Sequence, residues 1–416
     1  MNEIRALGTL ERKMATLHDV QGNAQTTSLL TLGQQLDETR LAKAMTRWLQ
    51  LNPALMLTLN NQQDAFTEAP ATGQLHELDL AEVAHDKALE SLIQAVLNTP
   101  LQPQRQLYSV LLIQQQDTEI SHIALTCHHA LVDGHSLAYL LDQLLHCYHN
   151  LTHSERSELA PAIESQLERA RGTAATLPSH MGWPVVTQAK PAQRHTRFCR
   201  QIIERDALIV LKAIAKHSDS ALNTVLTYIL TQAIKQVHST GKLRLLMAIS
   251  LRQRTSVKSA SSALGCLIAV SALDMPGSAN WPTFARQFDQ QVAETIDAEL
   301  GYVPPMDEQS LLRLRQGVDN PLRFGCDFAM TNHGVVQFDT ARHGVVVREY
   351  ANFANRNAGN VGIACHLATS GDRLNCVFTY CEPLMSTAMA QQINALFSRQ
   401  VSAFIAQYQE IYHEAS

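Results

Sequence analysis

SHIALTCHHALVDGHSLAYLLDQLLH, residues 121–146, is the stretch whose reading decides the fold of this 416-residue chain. Residues 121–127 run apolar, as a half-buried strand does. From Ser136 onward Leu137, Leu140, Leu141, Leu144 and Leu145 recur at helical spacing, with Ser136 as the expected N-cap. Between strand and helix a short loop holds His128, His129, Asp133 and Gly134. Loops fixed by two rigid elements are where folds display chemistry.

The loop pattern is HHxxxDG. A neutral imidazole, with an ordinary pKa of about 6.5, can take a proton from an alcohol, amine or thiol near pH 7 and return it. Adjacent side chains leaving an extended segment point to opposite faces, so the two histidines divide the work: one faces a reaction space and the other packs. Gly134 allows positive φ and hence a sharp reversal from strand to helix. Asp133 is set to brace the loop through a charged partner. Cys127, His128, His129 and His135 lie close in sequence, but neither HExxH nor paired CxxC spacing occurs, so no metal site is expected.

The strand, HHALVDG loop and helix resemble the active-site segment of the chloramphenicol acetyltransferase-like superfamily, which includes nonribosomal-peptide condensation domains, polyketide-associated acyltransferases and alcohol acetyltransferases. The resemblance implies that His129 is the catalytic base and that Asp133 holds the loop by an ion pair with an arginine from the other half of the chain, without relaying charge. His128 is then the structural member of the pair. Residues 37–51 read as a helix with one apolar face, running into NPALMLTL. This is similar to a family segment in which His-Pro follows the helix, with Asn52 where histidine is common.

Farther along, KLRLLMAISLRQR followed by a polar loop and Gly265 resembles the family segment that supplies the arginine. It makes Arg252 the partner of Asp133, with Arg254 in reserve. FGCDFAMTNHGVVQF resembles an SN-x-G strand-turn, with Thr331 where serine is usual and His333 in the variable position. Thr331 and Asn332 are then expected to contact substrate or the developing oxyanion, the alternative being that Asn-His-Gly is only a hairpin turn. Lys190, Arg194, Arg197 and Arg200 form a positive stripe. It reads either as a dock for the phosphates of coenzyme A or an acidic carrier protein, or as solvated charges on a strand edge.

Composition bounds the rest. Hydrophobic residues at 45%, charged residues at 17% and a net charge of −5 describe a globular chain with no electrostatic case for nucleic acid. MNEIRALGTLERKM has no apolar signal core and no apolar run approaches a membrane span, so a cytoplasmic protein is expected. The eight cysteines are scattered, as reduced buried thiols are. Strands are expected at 25–33, 107–114, 196–203, 243–250, 344–350, 361–368 and 374–380, and a hairpin at 54–66. Helices are expected at 81–97, 205–217, 222–237 (N-cap Ser220) and 386–408, with a polar helical segment after 149.

The resemblance implies an α/β (α+β) fold: a two-lobed pseudodimer, each lobe a mixed sheet flanked by helices, with an active-site tunnel between them. Residues 1–170 would form the lobe carrying the HHxxxDG loop, 171–192 a linker and 193–416 the second lobe. The implied activity is acyl transfer from a thioester, on coenzyme A or on the phosphopantetheine arm of an acyl or peptidyl carrier protein, to the hydroxyl or amine of a small-molecule acceptor. A monomer with no permanently bound cofactor is expected. Three other readings stay open: an amide-forming free-standing condensation domain, a non-catalytic domain of the same fold that recruits a carrier protein, and a metal-dependent hydrolase, which would contain zinc.

Overall fold

Period-two alternation of apolar residues builds two main sheets, and their strand order sets the HHxxxDG loop at the boundary between them. The computed structural model describes residues 3–21, 24–68, 78–149, 155–166, 180–238, 242–254, 262–299, 308–312, 322–340 and 344–413. In chain order the first half gives β1 (Glu3–Ala6), α1 (Thr9–Gln21), β2 (Gln25–Leu32), α2 (Glu38–Leu51), β3 (Leu57–Leu59), β4 (Ala65–Glu68), β5 (Asp79–Val83), α3 (Asp86–Asn98), β6 (Tyr108–Gln115), β7 (Ser121–His128) and α4 (Gly134–Tyr148). The second half gives β8 (His195–Ile203), α5 (Arg205–His217), α6 (Leu222–Val237), β9 (Arg244–Ser250), β10 (Ile268–Asp274), α7 (Trp281–Glu299), β11 (Cys326–Val336), β12 (Val347–Ala354), β13 (Val361–Ser370), β14 (Arg373–Glu382) and α8 (Thr387–His413).

One sheet runs β12-β2-β7-β6-β5 and the other β10-β9-β11-β13-β14-β8, with β1-β4-β3 as a small third sheet. Both large sheets are mixed: β5 and β6 are parallel in the first, β11 is parallel to both β9 and β13 in the second, and the other pairings are antiparallel. β12 comes from the second half of the sequence yet forms the edge of the first sheet, pairing with β2 from Val347↔Leu32 to Ala354↔Thr26. Residues 167–179, which include the start of the expected linker, lie outside the described residues. Its later part packs on the second lobe, where Trp183 is buried and donates its backbone N–H to Asp327 at 2.9 Å.

Helical spacing explains the first core. Leu41, Ala44, Met45, Trp48 and Leu49 of α2 are buried against Leu137, Leu140, Leu141, Leu144 and Leu145 of α4, and the Trp48 indole donates to the Leu140 carbonyl at 2.9 Å. Asn52, at the end of α2, is buried; it donates to Gln143 of α4 and accepts from Ser157 at 2.6 Å, tying three segments together. A separate apolar cluster joins the lobes: Leu29, Ile113 and Ala124 of the first sheet meet Phe198 and Val377 of the second, with Phe353 of β12 between them. The rings of Phe198 and Phe353 lie 5.0 Å apart, edge to face.

Several expectations are corrected. Residues 81–83 belong to β5, and α3 begins at Asp86 behind a His85 cap. α6 is capped by Ala221, since the Ser220 hydroxyl donates to Asp289 instead. The described part of the segment after 149 is mostly irregular, with only a short turn of helix at Ile163–Ser165. Asn332-His333-Gly334 is not a hairpin; it is a bulge inside β11, with Gly334 at φ +70°. α1 and α7 are helices beyond those expected; α7 buries Trp281, Phe284, Ala285 and Phe288 at helical spacing in the second core. No helix among the described residues is long and apolar enough to cross a membrane.

Phe353→Ala should cost about 3–5 kcal/mol by urea denaturation, because the ring is fully buried and both lobes pack on it.

Candidate active site

The HHxxxDG loop is fastened on both sides as β7 ends. His128 N–H donates to the Leu107 carbonyl and His129 N–H to the Ala24 carbonyl, both at 2.8 Å. Asp133 is the N-cap of α4, in place of the expected Ser136, and its Oδ1 accepts from the Ser136 N–H at 2.8 Å. A carboxylate there satisfies an orphan donor and meets the positive end of the helix dipole.

Arg252 arrives from the other lobe, on the turn after β9. Its Nη2 lies 2.7 Å from Asp133 Oδ1, its Nε 3.1 Å from Oδ2, and its Nη1 donates to the Ala263 carbonyl at 2.9 Å. Nη2 also reaches the Ser136 hydroxyl, which donates to Asp133 at 3.0 Å. Burial would raise the Asp133 carboxyl, but the Arg252 charge and these hydrogen bonds outweigh it and hold the pKa below the ordinary value. The side chain of Arg254 lies outside the described residues. The segment that follows is pinned to the first lobe: Leu264 N–H donates to Glu158 and Ala160 N–H to Leu264, while Leu264, Cys266 and Leu267 join the first core.

His128 is completely buried; its Nδ1 accepts from the Ala130 N–H at 3.1 Å and its ring lies 4.6 Å from that of His18. Burial pushes its pKa well below the ordinary value. His129 is half-buried. Burial lowers its pKa, the carbonyls of His129 and Val132 and the Asp133 charge oppose this in part, and Arg356 lowers it further. The imidazole is therefore neutral at pH 7, with Nδ1 3.7 Å from Cys266 Sγ.

Two further histidines share this space. His333, from the β11 bulge, lies directly on Gly134, where an added Cβ would fall 1.9 Å from its Cε1 and 2.3 Å from its Nδ1. Gly134 does not adopt positive φ, so the expected backbone reversal is corrected: glycine is required here by the ring pressed on it. Burial brings His333 down to about 4, against the Asp133 charge and an Asn352 hydrogen bond, and its Nε2 is buried without a hydrogen-bond partner among the described residues. His366, on β13, shares a hydrogen bond between Nε2 and the Thr379 hydroxyl at 3.1 Å, while its Nδ1 is likewise buried and unpartnered. Burial pushes it well below the ordinary value, and Arg356, His333 and His129 add to the shift.

Other expected residues are placed differently. Thr331 is half-buried and sits opposite His366 in the β11–β13 register. Asn332 is exposed and accepts from the Gly334 N–H at 2.8 Å; it closes the bulge instead of facing the loop, and His333 is the residue of that motif that does. The positive stripe is not a free surface. Arg194 is buried and donates to the carbonyls of Ala189 and Asn357, Arg197 pairs with Glu382 at 3.1 Å, and Arg200 pairs with Glu349 of β12. Lys190 alone of the four is exposed without such a tie. Among the described residues no three His, Cys, Asp or Glu side chains are arranged to hold a metal ion.

Residues 15–164 match the family model of the Condensation domain. A search of curated protein sequences finds no match. Among solved structures, the chain is similar to the epimerization domain from the third module of tyrocidine synthetase B, at 14% identity and a TM-score of 0.67 over 97% of this chain and 96% of that one. It is similar to a variant starter condensation domain of rhizomide synthetase in complex with C8-CoA, at 13% identity and a TM-score of 0.66 over 96% and 94%. Polyketide synthase associated protein 5 from Mycobacterium tuberculosis gives 16% identity and a TM-score of 0.64 over 96% and 97%. At these identities the likeness establishes the fold, a two-lobed pseudodimer of mixed sheets flanked by helices.

Gly134→Ala should destabilise the fold by roughly 1–3 kcal/mol through overpacking against the His333 ring. His333→Ala in the same chain should return most of that loss, read as a coupling in a double-mutant cycle. Stability should also depend on pH in a defined window. An unfolded imidazole gains its proton near 6.5 while folded His333 refuses it until about 4, so the unfolded state binds more protons between these values. The melting temperature should therefore fall as pH drops from 6.5 to 4, and less steeply in His333→Gln.

Proposed function

For a chain with the chloramphenicol acetyltransferase-like fold, whose HHxxxDG half matches condensation domains, we propose an acyltransferase that moves an acyl group from a thioester to a hydroxyl or amine. The observation that carries this reading is the placement of His129 at the lobe boundary, on a loop clamped from the opposite lobe by Arg252, where burial lowers the pKa of the imidazole. A neutral imidazole is ready to accept a proton, and the clamp keeps it aimed.

The reaction follows from those groups. The acceptor oxygen or nitrogen attacks the thioester carbonyl as His129 removes its proton. The carbon–sulfur bond breaks and the imidazolium returns the proton to the departing thiolate, so no acyl-enzyme forms. Asp133 stays outside the proton path, since Arg252 and Ser136 already occupy its carboxylate oxygens. Thr331 remains a candidate contact for the carbonyl oxygen, opposite His366. The donor is a coenzyme A thioester or an acyl group on a carrier protein; a neighbouring starter condensation domain is in complex with C8-CoA, which favours the former. An amide product is the second reading, favoured by the condensation-domain match over residues 15–164.

Thiol release from octanoyl-CoA, and intact mass of an acyl-loaded carrier protein, should both register transfer to a mixed pool of alcohols and amines. His129→Ala should lower the rate by about 10²- to 10⁴-fold with an unchanged circular dichroism spectrum. Because the His129 pKa is lowered, the acid limb of kcat/KM should have its midpoint below 6.5. Undiminished transfer by folded His129→Ala would refute the assignment. Asp133→Asn should instead cost stability, about 3–5 kcal/mol, by leaving the Arg252 charge buried and uncompensated.

A further inference from the structure

Arg356 stands apart from the other arginines of the interior. Arg5 pairs with Glu11 at 2.7 Å, Arg244 with Asp274 at 2.6 Å and Arg252 with Asp133 at 2.7 Å, while Arg197 and Arg200 meet Glu382 and Glu349. Arg194 is answered by backbone carbonyls. Among the described residues no carboxylate pairs with the Arg356 guanidinium, which donates only to the Ala354 carbonyl, 3.5 Å from Nε. Burial lowers its pKa to about 10, and a cation held in that condition costs stability unless an anion joins it.

Register places this cation beside the base. Ala354, Thr26 and Cys127 form one row across β12, β2 and β7. β12 and β7 are both antiparallel to β2 and so run the same way. Arg356 and His129 each lie two residues beyond that row, at the same sheet end, with two strand spacings or roughly 10 Å between their backbones. The turn carrying Arg356 is rigid: its N–H donates to the Thr196 hydroxyl at 2.8 Å, the Asn357 N–H donates to Asn355 at 2.9 Å, and the Asn355 amide donates to the Leu97 carbonyl at 2.7 Å. The side chain is half-buried, so it keeps some contact with solvent.

We propose that Arg356 binds a carboxylate on the small substrate that meets His129, so that the acceptor is a hydroxy acid or amino acid with its nucleophile and carboxylate a few bonds apart. This rests on the acyltransferase reading above. A guanidinium takes a carboxylate in a two-pronged hydrogen-bonded pair, which would fix the acceptor's orientation as well as hold it. The phosphate of a pantetheine arm is a whole pantetheine length from its thioester, too far to be the anion at this end of the sheet. A carboxylate at the far end of the acyl group is the same chemistry from the other substrate.

The test uses the full chain, Arg356→Gln and Arg356→Lys. Calorimetric titration with lactate, mandelate, salicylate and tyrosine, each against its methyl ester, reads binding without turnover. Thiol release from octanoyl-CoA with the same pairs, and from succinyl-CoA against butyryl-CoA, reads transfer. At least one acid should bind and react tenfold or more better than its ester, with that preference lost in Arg356→Gln and partly restored in Arg356→Lys. A preference of the same kind confined to succinyl-CoA would keep the anion site and assign it to the acyl group. Acid-selective binding that depends on Arg356, without any thiol release, would keep the site and remove the acyltransferase reading. Thiol release with acids and esters handled alike in both arms would overturn the proposal and spare that reading. Arg356→Gln should melt no lower than the parent; a large loss of stability would mark a structural arginine and overturn the proposal as well.

Discussion

The ion pair between Asp133 and Arg252 is the constraint on which the site depends. Both side chains are buried, the arginine comes from the lobe that lacks the HHxxxDG loop, and the aspartate also caps the helix that begins the loop's far side. One carboxylate therefore fixes the helix start, the loop and the lobe boundary together. A buried pair of this kind is weak evidence for stability, because desolvating two charges offsets much of their attraction. Its value is geometric: a shift of one lobe would strand both charges, so the lobes hold one arrangement around His129.

The rest of the site is built from neutral imidazoles. His128, His129, His333 and His366 all have pKa values pushed down by burial, and three of them, all but His129, leave a ring nitrogen without a partner among the described residues. Unpaired buried polar atoms are costly and are a common mark of binding sites. His129, His333, His366 and Arg356 lie near enough to shift one another's protonation, so polar groups from both halves of the chain gather at the lobe boundary, set within apolar sheets.

What could be read from sequence follows from how far apart the cooperating residues are. Four loop residues lie within one short run, so HHxxxDG was legible at once, and Arg252 followed from the resemblance of its strand and loop. His333, His366 and Arg356 come from β11, from β13 and from the turn after β12, and are brought together only through register, β11 against β13 and β12 against β2 and β7. The need for glycine at 134 was visible but its reason was not, because the ring that demands it is about 200 residues away. The arginine stripe was misjudged on the same ground: its partners Glu349, Asn357 and Glu382 are distant in sequence, so charges that are spoken for looked free.

The place of β12 carries a consequence for how the chain is made. β2 leaves the ribosome long before the strand that covers its outer edge, with Thr26 and Asn352 lying 326 positions apart. Until residue 354 has emerged, the first sheet presents the eight-residue edge of β2 with open hydrogen-bonding groups, the surface on which nascent chains pair wrongly. Contacts of such sequence separation are also slow to form, since loop closure precedes their reward. Synthesis thus imposes a waiting period on the half that holds the base, and a chaperone that shields β2 during that interval would matter more to the yield of active protein than one acting on the finished fold.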